Sequence, residues 1–323
     1  MTGSRRAARP IAVVFGYHNV GVRCLKVLLA HGVDVKLVVT HRDHDAETIW
    51  FRSVASAAAE YNLPTITPDD PNAAALSARI AGLRPDFLFS FYYRRMLAPA
   101  LLAIPTRGAL NVHGSLLPKY RGRAPVNWAV LHGERETGAT LHYMTTKPDA
   151  GDIVVQAAVP ILPDDTAQEV FDKVTVAAEI ALDRALPALL HGTASRTPQE
   201  LSRGGYFGGR SPADGTIDWS RDATTIHNLV RAVAPPYPGA FTDVGTMPAR
   251  VLRTRVADTT TPPTLTPTLE VADNRLLARC GGGGTLQVLW LELNGLPADA
   301  DALRSRFGAS PSLLGQGGPA GIA

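Results

Sequence analysis

Residues 11–16 form an unbroken apolar run, Tyr17-His-Asn-Val-Gly21 reads as a turn, and 22–30 carry apolar side chains at helical spacing. A second strand is expected at 35–40. This strand–turn–helix–strand order, with a first strand apolar on both faces, predicts a parallel sheet covered by helices. The pattern continues with helical periods at 51–61 and 72–82, a brief strand at 63–67, and strands at 86–90 and 109–112. A helix is expected at 124–132, strands at 139–145 and 153–160, and a long amphipathic helix at 166–190 that closes a first domain, taken as 1–200.

The stretch 191–214 is rich in Gly, Ser, Arg and Pro, and 201–215 is read as a linker. The second domain, 216–310, combines a helix at 223–234 with strand candidates at 239–244, 250–256 and 286–293. That pattern predicts a smaller β-rich module, a barrel or an α+β unit. Residues 258–268 are mostly Thr and Pro and form a surface loop, and a short helix or loop begins at 296. The Gly- and Pro-rich end, 311–323, is expected to be disordered.

At 323 residues the chain suits two domains better than one core. With 45% hydrophobic and 19% charged residues it has the composition of a soluble globular protein. A net charge of +3, with arginines spread along the chain, argues against nucleic acid and fits a small anionic ligand. Cys24 and Cys280 supply neither a disulfide framework nor a metal site, and Cys24 reads as a buried thiol. Nine histidines include no HExxH and no close cluster, so no metal is expected. The basic N-terminus passes into a strand, and no run approaches the length of a membrane span, so a cytoplasmic protein without membrane insertion is expected. Gly16 and Gly21 have the wrong number and spacing for a dinucleotide fingerprint.

The chemistry gathers in Asn111-Val-His113-Gly-Ser-Leu-Leu-Pro-Lys-Tyr-Arg-Gly-Arg123 and in Lys147-Pro-Asp149-Ala-Gly-Asp152. Asn111 and His113 stand two apart at the end of a strand, so their side chains share a side and enter one crevice. Both can donate to an oxygen that turns negative as a carbonyl becomes tetrahedral, each such donor being worth roughly 3–4 kcal/mol. Asp149, in a turn, can hold His113 in one tautomer and favour its protonated form. This is a set for acyl or formyl transfer to an external amine, without a covalent intermediate. Ser115 lacks the Gly-x-Ser-x-Gly elbow of a covalent mechanism. Each residue alone also has a bland reading: a turn or cap for Asn111, a satisfied core histidine for His113, a surface turn for Asp149.

Phe15-Gly-Tyr-His18, Ser90-Phe-Tyr-Tyr-Arg94, the stretch from Asn111 to Pro125, and Tyr237-Pro-Gly-Ala-Phe241 resemble the folate-dependent formyltransferases. That group holds methionyl-tRNA formyltransferase and the sugar N-formyltransferases. The likeness spans about residues 11–256. Within the group it leans toward the formyltransferase part of the bifunctional enzyme that modifies lipid A with 4-amino-4-deoxy-L-arabinose. The resemblance implies an α/β, Rossmann-like N-terminal formyltransferase domain and a smaller, β-rich, barrel-like C-terminal domain. It implies 10-formyltetrahydrofolate as formyl donor, Asn111 as the transition-state-stabilising amide, His113 as proton donor and Asp149 as its partner. Folate contacts fall on Arg95, Met96, Leu97, Arg123, Thr145, Thr146, Lys147, Pro148 and Asp149.

The acceptor implied is the 4-amine of UDP-4-amino-4-deoxy-β-L-arabinose, with lipid A decoration and resistance to cationic antimicrobial peptides as outcome. Gly114 replaces the Ala usual after this histidine in the tRNA enzymes, and Lys119-Tyr-Arg-Gly-Arg123 also leans toward the sugar enzymes. Arg210, Asn228 and Arg231 are candidates for the nucleotide sugar, since Arg suits bidentate phosphate contacts; Tyr237 reads as a core residue. The bifunctional relatives continue into an NAD-dependent decarboxylase, so a separate decarboxylase is expected in the same pathway. Three alternatives stay open: another nucleotide-linked amino sugar as acceptor, charged initiator tRNA as acceptor, and a non-catalytic protein that binds folate or a nucleotide sugar.

Overall fold

The structure, a computed structural model, describes residues 9–43, 49–308 and 310–315. Two compact units divide the chain. The first comprises Met1–Pro125, Thr137–Val159 and Asp172–Phe207; the second comprises Val126–Glu136, Pro160–Phe171 and Gly208–Ala323.

In chain order the first elements are β1 (Ile11–Gly16), α1 (His18–Ala30), β2 (Asp34–Val39), α2 (Val54–Glu60), β3 (Thr65–Ile66) and α3 (Ala74–Leu83). They are followed by β4 (Phe87–Phe91), α4 (Pro99–Leu102), β5 (Gly108–His113), β6 (Arg121–Gly122), α5 (Pro125–Leu131), β7 (Glu136–Tyr143), β8 (Ile153–Pro160), α6 (Ala167–His191) and β9 (Tyr206–Phe207). One sheet has the order β3-β2-β1-β4-β5-β7-β8. Its first five strands pair in parallel, and β7 joins β5 antiparallel. Val13, Phe15, Leu37, Val39 and Leu88 line one face and pack against Leu76 and Ile80 of α3 and Leu101 of α4. Burial on both faces explains why β1 and β4 carry no polar alternation.

Helix α1 begins at His18, four residues earlier than the apolar period predicts. The stretch expected to be a turn is its first helical turn, in which Gly21 lies against the Gly16 backbone and Val54, where a Cβ would collide. Cys24 and Cys280 are buried, and burial pushes the Cys280 thiol up to about 12 and that of Cys24 higher still.

The second unit holds α7 (Ala223–Val233), β10 (Ala240–Val244), β11 (Met247–Asp258), β12 (Thr268–Ala272), β13 (Arg275–Arg279), β14 (Thr285–Leu293), β15 (Leu296–Ala298), α8 (Ala300–Phe307) and β16 (Ser312–Leu313). Its sheet runs β10-β11-β14-β13-β12-β16, with β15 on β14. A bridge between Val244 and Leu314 brings the two ends together, so the antiparallel sheet nearly closes into a barrel. Trp219, Ile226, Val230, Val251, Leu286 and Leu291 form part of its core. Of the end expected to be disordered, 311–315 are described and include β16, while 316–323 lie outside the described residues, as do 1–8 at the basic N-terminus.

Candidate active site

Strand pairing sets the site. β4 and β5 run in parallel with Ser90 beside Asn111, and on the other side antiparallel β7 sets His142 opposite Asn111 and Thr140 opposite His113. Gly108 starts β5 at a φ of 120°, a region that favours glycine, and a Cβ there would strike the Tyr143 ring. Asn111 and His113 thus leave the same edge of the sheet, at the carboxyl end of a strand.

Hydrogen bonds assign the imidazole protons. His142 Nδ1 lies 2.9 Å from the Tyr143 carbonyl, which can only accept, so this nitrogen carries hydrogen. Burial drives the His142 pKa well below its ordinary 6.5; Asp149 opposes the shift and His113 adds to it. The ring is therefore neutral near pH 7, and its Nε2 accepts from Asn111 Nδ2 at 3.2 Å. That bond fixes which end of the Asn111 amide is the donor end. The second amide hydrogen has no acceptor among the described residues.

His113 is ordered the opposite way round. Its Nε2 donates to the Tyr120 carbonyl at 2.8 Å, which leaves Nδ1 as the nitrogen able to gain and lose a proton. His113 Nδ1 and His142 Nε2 each stand 3.6 Å from Asp149 Oδ1. At that distance the carboxylate acts on both rings as a charge, without a direct hydrogen bond. Asp149 Oδ2 accepts from the Gly122 amide at 2.9 Å. The Asp149 backbone has φ 50°, unusual for a residue with a side chain. Gln199 steadies the turn, its amide donating to the carbonyls of Asp149 (3.1 Å) and Gly151 (2.7 Å).

Ser115 is buried and donates to the Lys119 carbonyl at 2.6 Å, so its hydroxyl shapes the loop. Thr140 accepts from the Leu117 amide and donates to the Ser115 carbonyl. A Cβ on Gly114 would run into the Tyr92 hydroxyl, which gives a steric reason for glycine at this position.

The structure thus joins Asn111, His113 and Asp149 into one cluster through His142. Arg95 and Met96 are exposed in the turn after β4, whereas Leu97 is buried in the core of the unit. Asn72 clamps that turn, donating to the Met96 carbonyl at 3.0 Å and accepting from the Ala98 amide at 2.7 Å. Arg123, Thr145, Thr146 and Lys147 are exposed and Pro148 is half-buried; the Thr145 hydroxyl donates to the Lys147 carbonyl. Arg210, Asn228 and Arg231 belong to the second unit. Arg231 is buried, and its guanidinium donates to Asn228 Oδ1 and to the carbonyls of Asp165 and Val130. Arg210 stacks over the Trp128 ring and donates to the Asp214 carbonyl. Sequence reasoning missed His142, Asn72 and Gln199. No sequence signal marks His142: it lies across a strand pair from Asn111, and that register is invisible without the turn lengths between them.

Among the described residues, no group of three or more His, Cys, Asp or Glu is placed to hold a metal, and no helix is long and apolar enough to cross a membrane.

The fold and this cluster define a class. Residues 11–186 match the formyl transferase family and 210–303 match the formyl transferase C-terminal domain, so the chain belongs to the formyl transferase family of enzymes. It is similar to an N-formyltransferase from Helicobacter canadensis solved with folinic acid and dTDP-3-aminofucose. The TM-score is 0.70 at 19% identity, over 87% of this chain and 99% of that one. WlaRD, a sugar 3N-formyl transferase solved in the presence of dTDP and 5-N-formyl-THF, has a TM-score of 0.69 at 18% identity, over 89% and 99% of the two chains. A 4-N formyltransferase from Francisella tularensis has a TM-score of 0.58 at 20% identity, over 72% and 91%.

Proposed function

We propose that the protein transfers the formyl group of 10-formyltetrahydrofolate to the amine of a nucleotide-linked amino sugar, namely the 4-amine of UDP-4-amino-4-deoxy-β-L-arabinose. The observation that carries the reading is the Asn111–His142–Asp149–His113 cluster, in which two imidazoles share the Asp149 carboxylate, one of them ordering the Asn111 amide and the other keeping an exchangeable nitrogen. The neutral amine attacks the formyl carbon, and the carbonyl oxygen takes up negative charge against the remaining Asn111 Nδ2 hydrogen. The proton shed by the new ammonium passes to His113 Nδ1, where Asp149 stabilises the imidazolium. The same proton goes to N10 as the carbon–N10 bond breaks, releasing tetrahydrofolate and the formamide. The exposed turns at Arg95–Met96 and Thr145–Lys147 and the exposed Arg123 are the groups we assign to folate. We assign the protein to lipid A modification in the cytoplasm.

Both the 3-aminofucose enzyme and the 3N-formyl transferase match over nearly their whole length, which favours another nucleotide-linked amino sugar as the second reading. Steady-state assays with the UDP-arabinose amine, dTDP-3- and dTDP-4-amino sugars and charged initiator tRNA separate these. The proposal expects the highest kcat/KM with the UDP-arabinose amine and none with tRNA. A preference for a 3-amino sugar overturns the acceptor assignment, and a preference for tRNA overturns the sugar reading.

A further inference from the structure

The groups that fix His113 and Asp149 come from one short segment. The Tyr120 carbonyl receives the His113 Nε2 hydrogen, and the Gly122 amide donates to Asp149 Oδ2. Strand β6 lies at this point and is only two residues long; it takes no place in the large sheet and pairs with β9 alone. Arg121 sits beside Tyr206 and Gly122 beside Phe207 in that parallel pair. The Arg121 amide donates to the Gly205 carbonyl at 3.0 Å and the Arg123 amide to the Phe207 carbonyl at 2.9 Å.

Side chains reinforce the pairing. The Tyr120 and Phe207 rings stack with centroids 5.1 Å apart. Arg121, read from the sequence only as part of the Lys119–Arg123 motif, is buried and donates to the carbonyls of Gly204 (3.2 Å) and Leu201 (3.4 Å). No carboxylate among the described residues pairs with it, and its Nε has no partner there. A guanidinium buried among carbonyls at such a cost in desolvation holds a defined backbone geometry or is lost. Two glycines permit the close approach: a Cβ on Gly122 would collide with the Phe207 carbonyl, and one on Gly204 with the Pro118 carbonyl.

We propose that residues 201–207 are a positioning strap for the reacting pair: by holding β6 they fix the Tyr120 carbonyl and the Gly122 amide, and through these the orientation of His113 and Asp149. The inference rests on the reading of His113 and Asp149 as the groups that handle the proton. Without the strap, Tyr120 and Gly122 would belong to a free loop, and the nitrogen of His113 facing Asp149 would no longer be defined. Phe207, Arg121 and Gly204 are positioning residues in this scheme, acting through the Tyr120 carbonyl and the Gly122 amide.

The test compares Phe207→Ala, Gly204→Ala and Arg121→Lys with wild type and with His113→Asn, using the full chain. For each, kcat, KM for 10-formyltetrahydrofolate, the pH profile of kcat and the His113 imidazole NMR shifts are measured. The strap predicts a fall in kcat of about 10- to 100-fold, as small misplacements of reacting groups produce. It also predicts a folate KM within about twofold of wild type, since no folate-contacting group is altered. The acid limb of the pH profile and the His113 shifts should move, and Phe207→Tyr, which keeps the stack, should restore them. If Gly204→Ala does not fold, Phe207→Leu, which keeps the apolar bulk without the ring, carries the same test. Wild-type kcat and pH profile in the folded variants, beside a dead His113→Asn, would overturn the strap and leave the site reading standing. Full activity in His113→Asn would overturn the site reading and the strap with it.

Discussion

Asp149 stands between two imidazoles that do opposite work. His142 is neutral and orders Asn111, while His113 keeps Nδ1 open for a proton. Removing the amide donor, in Asn111→Ala, should lower kcat about 10²- to 10³-fold with little change in folate KM, read from steady-state kinetics. His142 also ties the site to stability. Its folded pKa lies below the unfolded value, so the unfolded chain binds the extra proton as pH falls below 6.5. The contribution of this ring is present above that pH and is lost as pH falls toward the folded pKa; burial shifts His227 in the same direction. Denaturant titrations of wild type and His142→Gln should show a smaller loss of stability between neutral and acid pH in the variant. Equal slopes would contradict the assignment of His142 as a buried neutral ring. Asn111 and His113 were legible because i and i+2 on a strand end share a side, and Asp149 because its turn is composed of Pro, Ala and Gly. His142 was not legible, since a histidine inside an apolar strand reads as core until its cross-strand partner is known.

At the scale of elements, chain order predicted the parallel sheet, and the misses have local causes. The hairpin of β12 and β13 turns on Asp273 and Asn274, both at positive φ (49° and 59°), with no glycine to mark it. Helix α1 starts early because Gly21 admits close packing at its first turn, so a residue that reads as a breaker is a contact. Helix α7 starts as its sequence implies, with Asp222 accepting from the Thr225 amide at 3.0 Å. Asp222→Ala should cost about 1 kcal/mol, as lost N-caps do, and lower the thermal midpoint of the second unit without moving kcat. A change in kcat larger than the change in folded fraction would contradict a purely capping role.

At the scale of the molecule, the two units interleave along the chain, and no shift in composition marks the pieces 126–136 and 160–171 that join the second. Their ties are internal to that unit: Asn127 donates to the Ala232 carbonyl at 2.9 Å, and Arg231 reaches the carbonyls of Val130 and Asp165. A chain ending at Phe207 would leave the buried Asn127 amide and the Val130 and Asp165 carbonyls without these partners, each loss costing about 1–3 kcal/mol if the site stays buried. Such a fragment should melt below the full chain and bind an apolar dye, and an unchanged melting curve would contradict the division. Both units serve a single reaction in this account, and one measurement addresses it most directly. In a single-turnover reaction of 10-formyltetrahydrofolate labelled with carbon-13 in the formyl group, with UDP-4-amino-4-deoxy-β-L-arabinose as acceptor, carbon NMR follows the label. The account predicts that the label moves into a formamide on the sugar's 4-nitrogen with the wild-type chain and stays on folate with His113→Asn. Label retained on folate by the wild-type chain, or transferred equally well by the variant, would contradict it.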